Sequence, residues 1–558
     1  MMRLLMPTCL FSALVLLASA HAQAPDYLWI KQFSELGPGG ITADDVGNIY
    51  AATVFRGTVT IGDSTLTSLG SDALILKFDR NLDVVSFHQI RSTETIHAGL
   101  ALDHQGNILI TGSFSGTATL GDSVLTSTDL GIFSLEFFVA KFDADYNVLW
   151  AKQALGVPHP GATFFLNGGR DICADTAGNV IVTGLFNGTT TFDDTTLTAP
   201  GVDEIFTAKY APDGRLLWIR QAGGNALSRS GVGNLVVDES GDIIVTSTFG
   251  GISSLGDTVL TSAGGDDILI VKYDGAGNLL WVRQVGGTGD DVSFEMVRDQ
   301  SGSLLVAGSF TDTVVVAGNA LVSEGGPDVL IAKYDGKGNA LWARSAGSAL
   351  PDFAQGITTD NSDNLFVTGT FFSGAAFGDT TLTSSGSRDG FVASYSTAGN
   401  LRWVLTFGGP EKDGGVRIIT DRSNNLIVAG SFSGPATFGD TVLTSVGLAD
   451  QVAFKLATGI QAGKAPATFH LSQNFPNPFN PETTIRYEVP VLSHVELTVY
   501  NVLGQRVRRL VSERQLPDVY TVRWDGKNDL GFDVASGVYF YQLRAGSFVG
   551  VKKLTLLR

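Results

Sequence analysis

DESGDIIVTSTFGGISSLGDTVLTSAGGDDILIVKYDGAGNLLWVRQ, residues 238–284, carries one complete copy of the pattern that builds this chain. It opens on an Asp and a tight polar turn, runs through a β-branched segment to Phe249, and passes a short GDTVLTS hairpin. It then resumes as ILIVKYD before a second Asp–Gly–Asn turn leads to Trp281. Short runs of β-branched and aromatic residues favour strands. The Asp, Asn and Gly between them favour turns, because an Asp side chain bonds backbone N–H groups two residues on and Gly or Asn tolerates positive φ. With the apolar run that precedes Asp238, the pattern gives four antiparallel strands. Strand A ends at the Asp, B follows the turn, C carries the Lys–aromatic pair and D carries the Trp.

The same pattern recurs about every 61 residues, marked by Asp44, Asp103, Asp175, Asp238, Asp299, Asp360 and Asp421. Trp150, Trp218, Trp281, Trp342 and Trp403 mark strand D, with Phe87 in that place once. A repeated four-stranded antiparallel unit is one blade of a β-propeller, so the copies predict an all-β, seven-bladed β-propeller over residues 23–457. The repeated Asp reads as turn chemistry rather than a metal ligand, since no DxDxDG spacing accompanies it. Trp29 in YLWIKQF precedes the first Asp, while the last copy ends at VAFKLA (452–457) without a strand D. The N-terminal strand is therefore expected to complete the last blade and close the ring, leaving no open sheet edge. The Trp series is expected to serve blade-to-blade packing. The D-x-x-G-N turn, the V-x-G-x-F strand, the KYD-x-x-G-N-x-x-W hairpin and the GD-x-x-L-T-S segment together resemble SBBP-type β-propeller repeats over residues 27–457. Asn319, Ser394 and Ser303 depart from the pattern. The resemblance implies the propeller fold and no particular reaction.

The 558 residues are 44% hydrophobic with 68 glycines, and a formal charge of −18 opposes attraction to nucleic acid or anionic membranes. The N-terminus has the charged, apolar and small-residue regions of a secretory signal, with Ala20 and Ala22 framing cleavage after Ala22. Its apolar run falls short of the ~20 residues that span a bilayer, so no transmembrane anchor is expected. Cys9 lies within the signal, which leaves Cys173 alone and allows no internal disulfide.

Residues 458–468 lose the repeat and read as a linker. Beyond them, TTIRYEVP, HVELTVYNV, VYTVRWDG and GVYFYQLRAG alternate as a small immunoglobulin-like β-sandwich of about seven strands over residues 469–558. LSQNFPNPFNPETTIRY (471–487), VYNVLGQRV (499–507), SGVYFYQL (536–543) and the closing VKKLTLLR are more specific. Together they resemble the type A C-terminal sorting domain of the type IX secretion system. By that resemblance Asn474, Pro476, Asn477, Pro478, Phe479 and Asn480 match the opening motif, Gly504 and Gly537 its turns, and Lys552 and Lys553 its terminal strand. It implies passage through the periplasm, engagement of the type IX machinery, and an extracellular or outer-membrane surface location. The prolines should make the motif wrap a sheet edge or lead into the sandwich, because they cannot donate to a central ladder.

No HExxH, GxSxG, Walker A or GxGxxG pattern occurs, and no catalytic residue or metal ligand is assigned. The hairpins at 273–281 and 334–342 are similar to the tryptophan-docking motif of quinoprotein dehydrogenase propellers, but any blade needs such a turn between strands C and D. His88, His97, His104 and His159 lack ligand spacing and read as scattered surface residues. Two insertions, 126–137 and 155–169, are expected on one face. There Phe133, Leu135, Phe164 and Phe165 either form an apolar patch for a glycan or protein or cover a blade edge. Asp291, Asp352 and Asp413 each precede a turn Asp by eight residues, where other copies carry Leu36, Thr95, Asn167 and Ser230. Either they gather at one channel mouth and hold Ca²⁺ or a cationic ligand, or each caps its own Gly-rich loop. No other cofactor is expected. The sequence favours an exported, non-enzymatic propeller that binds an unknown extracellular glycan or protein. The alternative is a secreted lyase, hydrolase or quinoprotein oxidoreductase, whose mark would be carboxylates of perturbed pKa converging in one pocket.

Overall fold

The computed structural model describes residues 25–33, 40–44, 46–128, 133–158, 164–199, 203–226, 233–458, 468–490, 493–515, 518–546 and 548–557. The expected signal, with Ala20 and Ala22, and most of the expected linker lie outside these residues. Every element described is a β-strand. Asp291–Arg298, Leu304–Phe310, Asp328–Tyr334 and Ala340–Ala346 are hydrogen-bonded in that order, all antiparallel, and supply strands A to D of one blade. Strands B and C of this blade are buried along their whole length, which accounts for their unbroken apolar character.

The A strands are Ile41–Ala43, Thr95–Leu102, Gly168–Ala174, Asn234–Val237, Asp291–Arg298, Phe353–Thr359 and Gly414–Thr420. Each packs against the next, and the last returns to the first, so they enclose a central channel. This is a β-propeller. The ring closes as the sequence implied: Tyr27–Phe33 pairs antiparallel with Asp450–Leu456. Trp29 faces Lys455 there, in the register that sets Trp150 opposite Lys141, Trp218 opposite Lys209, Trp281 opposite Lys272 and Trp342 opposite Lys333. The N-terminal strand is therefore a strand D in position and in chemistry.

Each turn Asp is structural. Asp103 Oδ1 accepts the N–H groups of Gln105 and Asn107, and its Oδ2 accepts Asn107 Nδ2 at 2.8 Å and pairs with Lys141 Nζ at 2.9 Å. The strand C lysine repeats this bond in Lys209–Asp175, Lys272–Asp238, Lys333–Asp299 and Lys455–Asp421. Ser394 departs from the pattern, and beside it Arg402 bonds Asn364. The tryptophans join blades: Trp218 Nε1 donates to Gly275 O and Trp342 Nε1 to Thr397 O, both in the following C–D hairpin. Gly277, at φ 82°, has to be glycine, because a Cβ there would stand 2.7 Å from the Trp218 ring.

The second unit is a sandwich. His470–Leu471, Thr483–Val489 and Asp518–Trp524 form one sheet, and Arg506–Gln515, Ser493–Asn501, Gly537–Ala545 and Phe548–Leu556 the other. Ile485, Tyr487, Leu497, Trp524, Tyr541 and Leu554 fill the space between them.

Candidate functional site

The A strands bring one position of every repeat to a single level of the channel, four residues before the turn Asp. At this level stand Gly40, Gly99, Asp171, Asn234, Glu295, Gly356 and Arg417, identifiable by their pairing with equivalent strand B residues or, for Gly40, by its carbonyl accepting Ala52 N–H. Sequence reading overlooked this register, although the spacing to the turn Asp carries it. In four A strands a register shift inserts an extra residue just before this position: Arg170, Phe294, Gln355 and Val416. Such bulges re-aim side chains.

Polar side chains at this level tie neighbouring blades together. Asp171 Oδ2 accepts Leu235 N–H at 2.8 Å and its Oδ1 accepts Ile172 N–H at 2.9 Å. Glu295 Oε2 accepts Ile357 N–H at 3.0 Å, and its Oε1 pairs with Arg417 Nη1 at 2.6 Å. That pair bridges over the intervening Phe353–Thr359 strand, where Gly356 stands. A Cβ at Gly356 would sit 3.2 Å from Arg417 Cα. Desolvation pushes the Asp171 and Glu295 carboxyls above their ordinary range despite these bonds, while Glu295 raises Arg417.

The glycine side of the ring leaves a cavity of about 530 Å³, lined by Gly99, His97, Arg170, Asp171, Asn234 and Glu295 among others. Leu135 and Leu166 also line it, and they belong to the two insertions. The insertions meet as a parallel ladder, Phe133 beside Phe164 and Ser134 beside Phe165. The side chains of Phe133, Phe164 and Phe165 lie outside the described set. His97, read as one of the scattered surface histidines, is exposed and lines the channel. Desolvation, with the Arg170 and Arg56 charges, holds its pKa below the ordinary histidine value. A separate apolar cavity of about 80 Å³ lies between the first and last blades, beside Phe33, Ile49 and Val452, and belongs to packing.

Asp291, Asp352 and Asp413 do not share a channel site. All three are fully buried in separate seams between blades. Asp291 Oδ2 accepts Gly287 N–H and Asp413 Oδ2 accepts Gly409 N–H, each at 2.7 Å, so both bind their own loops. Asp352 takes Phe372 N–H at 3.0 Å and Ser348 Oγ at 3.0 Å. Their own backbone N–H groups donate to Asp266, Pro327 and Arg388 carbonyls of the preceding blade. Buried oxygens meet backbone donors more cheaply here than they would meet one another, which fits the loop-capping reading of these residues. What they do meet is a carboxylate series that sequence reading missed, at the first position of strand C: Asp267, Asp328 and Asp389.

In the second unit, the prolyl motif follows a sheet edge as expected. Phe479 is buried on Trp524, its N–H donates to Thr555 O at 3.0 Å, and its carbonyl accepts Leu557 N–H at 2.9 Å. Asn477 Oδ1 accepts Thr555 N–H at 2.9 Å. Asn474 is buried and bridges Pro476 O and Thr483 Oγ1, while its N–H donates to the Tyr541 hydroxyl. Gly504 closes the Asn501 turn at φ 73°. Lys552 and Lys553 are exposed on the last strand. Pro478, Asn480 and Gly537 complete the motif without a side-chain bond that bears on the channel.

With both units described, their likeness to known proteins can be set beside them. Residues 473–556 match the secretion system C-terminal sorting domain. The chain is 23% identical to an uncharacterized WD repeat-containing protein of Acanthamoeba polyphaga mimivirus, over 73% of this chain and 36% of that protein. It is 28% identical to the regulatory protein FlaEY of Caulobacter vibrioides, over 29% of this chain and 18% of that protein. The chain thus spans well under half the length of either relative. Among solved structures, PorZ of Porphyromonas gingivalis, a bacterial surface component of the type IX secretion system, aligns over 94% of this chain and 75% of its own. Its identity is 13% and its TM-score 0.26. The propeller assignment rests on the strand pairings described above. The sorting domain marks the chain for export to the cell surface or extracellular space, through the type IX secretion machinery.

Proposed function

We propose that this is a seven-bladed, SBBP-type propeller that enters the periplasm on the signal at residues 1–22, is delivered outside by residues 469–558, and binds an extracellular ligand in its central channel. The cavity of about 530 Å³ on the glycine side of the inner ring supports the binding reading most strongly. It falls in the size range of small-molecule sites and mixes apolar walls with a few convergent polar groups. The two insertions, which contain Phe133, Phe164 and Phe165 and bring Leu135 and Leu166 to the cavity wall, would supply a surface for the remainder of a glycan or protein ligand.

Asp171 and Glu295, two carboxylates of raised pKa in one cavity, favour a second reading as a general acid–base enzyme. Against it, both oxygens of each carboxylate already accept a hydrogen bond from backbone or Arg417. They are struts between blades, and the binding reading is preferred.

Gly99 offers the test. A Cβ there meets only Arg170 O at 3.4 Å and Thr111 O at 3.8 Å, ordinary contact distances, so Gly99→Phe fills the cavity with little strain. On a glycan and protein array, ligand capture by the parent chain should fall at least tenfold in Gly99→Phe while the melting temperature holds. Equal capture by both would overturn the channel as the site.

A further inference from the structure

Among the described residues, four charged side chains line the channel cavity near its ring level, and three of them are already satisfied. Arg417 is paired with Glu295, and Asp171 holds two backbone N–H groups. Arg170 is different. Among the described residues no hydrogen bond or ion pair engages its guanidinium, and Asp203 acts on it only through space. It is the bulge residue of its strand, the extra one between Gly169 and Asp171, whereas Phe294 at the equivalent place packs edge-on against Phe353. The bulge is held tightly: a Cβ on Gly169 would fall 1.8 Å from Thr111 Oγ1, so the backbone behind Arg170 has little freedom to move. The side chain is open to channel water, yet the surrounding walls desolvate it enough to lower its pKa.

An arginine fixed on the inner strand of a cavity, with no bonded partner among the described residues, presents a planar donor fork suited to an anion. We propose that Arg170 binds the carboxylate of a small ligand, a sugar acid of the uronate class, inside the channel. The proposal rests on the channel-binding reading and gives it a ligand chemistry. Two features select one negative charge over two. Asp171 and Glu295 line the same cavity and disfavour a dianion, and Arg170 is the lining cation with no hydrogen-bond or ion-pair partner among the described residues, its planar fork matched to a carboxylate. Asn234 and the His97 ring, both on the cavity wall, remain for neutral hydroxyl contacts.

The test titrates the full-length chain, ¹⁵N-labelled at histidine, with D-glucuronate, methyl glucoside and inorganic phosphate, following heat and the His97 signal. Glucuronate should bind and shift His97, methyl glucoside should bind at least tenfold more weakly, and phosphate should bind more weakly than glucuronate. Arg170→Gln should lose at least tenfold in glucuronate affinity with an unchanged melting temperature, and Arg170→Lys, which keeps the charge without the fork, should fall between. No glucuronate binding by the parent, equal binding by Arg170→Gln, or a preference for phosphate would overturn the proposal. An array ligand lost in Gly99→Phe but retained in Arg170→Gln would overturn the carboxylate reading and leave the channel standing.

Discussion

Burying a carboxylate costs free energy unless a partner or a proton compensates, and this chain uses both solutions in separate places. The turn aspartates use partners. For Asp299 burial acts to raise the pKa, but bonds from Lys333, Ser301 and Ser303 together hold it below the ordinary range; Asp103, Asp175 and Asp238 behave alike. The seam aspartates lean on protons. Burial pushes Asp291 and Asp352 up to about 7 and Asp328 to about 6, and raises Asp389 and Asp413. Like charges add to it: Asp267, Asp290 and Asp312 act on Asp291, Asp328 on Asp352, Glu324 on Asp328, and Asp413 on Asp389. Around Asp413, Glu411 raises and Arg388 lowers. Buried Oδ1 atoms of Asp291, Asp328 and Asp389 have no hydrogen-bond partner among the described residues, which suits a protonated carboxyl.

The two groups bend stability with pH in opposite senses. Asp103, Asp175, Asp238 and Asp299 have lowered folded pKa values, so their contribution is present above the ordinary carboxylate range and is lost as pH falls. Seam carboxyls have raised values, so folding takes up protons and their contribution, full below the ordinary range, is lost as pH rises through 6 to 7. Thermal stability should therefore peak at mildly acidic pH and decline by pH 8. Asp352→Asn keeps an acceptor for Phe372 N–H and removes one titrating group. It should flatten the alkaline decline and raise stability at pH 8 by roughly 1–3 kcal/mol. Superimposable pH profiles of parent and variant in scanning calorimetry would contradict the protonated seams.

At the scale of strands, the ring depends on Tyr27–Phe33. Besides its ladder to Asp450–Leu456, it brings Gln32, whose Nε2 bonds Asp450 Oδ2 and Thr444 O. The same strand D glutamine bonds the first acid of strand C in Gln89–Asp72, Gln221–Glu204 and Gln284–Asp267. Deleting residues 23–34 should expose a buried edge and give unfolded or oligomeric protein; a compact monomer with unchanged melting would refute the closure. The closing strand was legible because Trp29 and the missing final D strand are local patterns. The seam was not. Asp291 and its partner Asp267 lie on different strands of different blades, and only pairing geometry shows that a residue eight before the turn Asp points into a seam while one four before it points into the channel. The bulges add the extra residue that breaks simple alternation there, which hid Arg170, Glu295 and Arg417 from sequence reading.

On the scale of the molecule, the two units answer different questions. The propeller was legible in outline from its period, because each blade repeats the same turn and packing chemistry, yet the ligand site arises where repeats differ: glycines at three inner positions, charges at others. The sandwich was legible down to single residues. Asn477 and Phe479 knit the opening motif to the last strand while Asn474 ties it to Thr483 and Tyr541, so motif and edge are one construction, and the matched residues 473–556 span it. Export through this domain is the claim on which the functional account stands, and cell fractionation tests it most directly. A chain ending at Thr468 should accumulate in the periplasm as a folded propeller, while the full chain reaches the surface or the medium. Surface delivery of the truncated chain at the level of the full one would contradict the account.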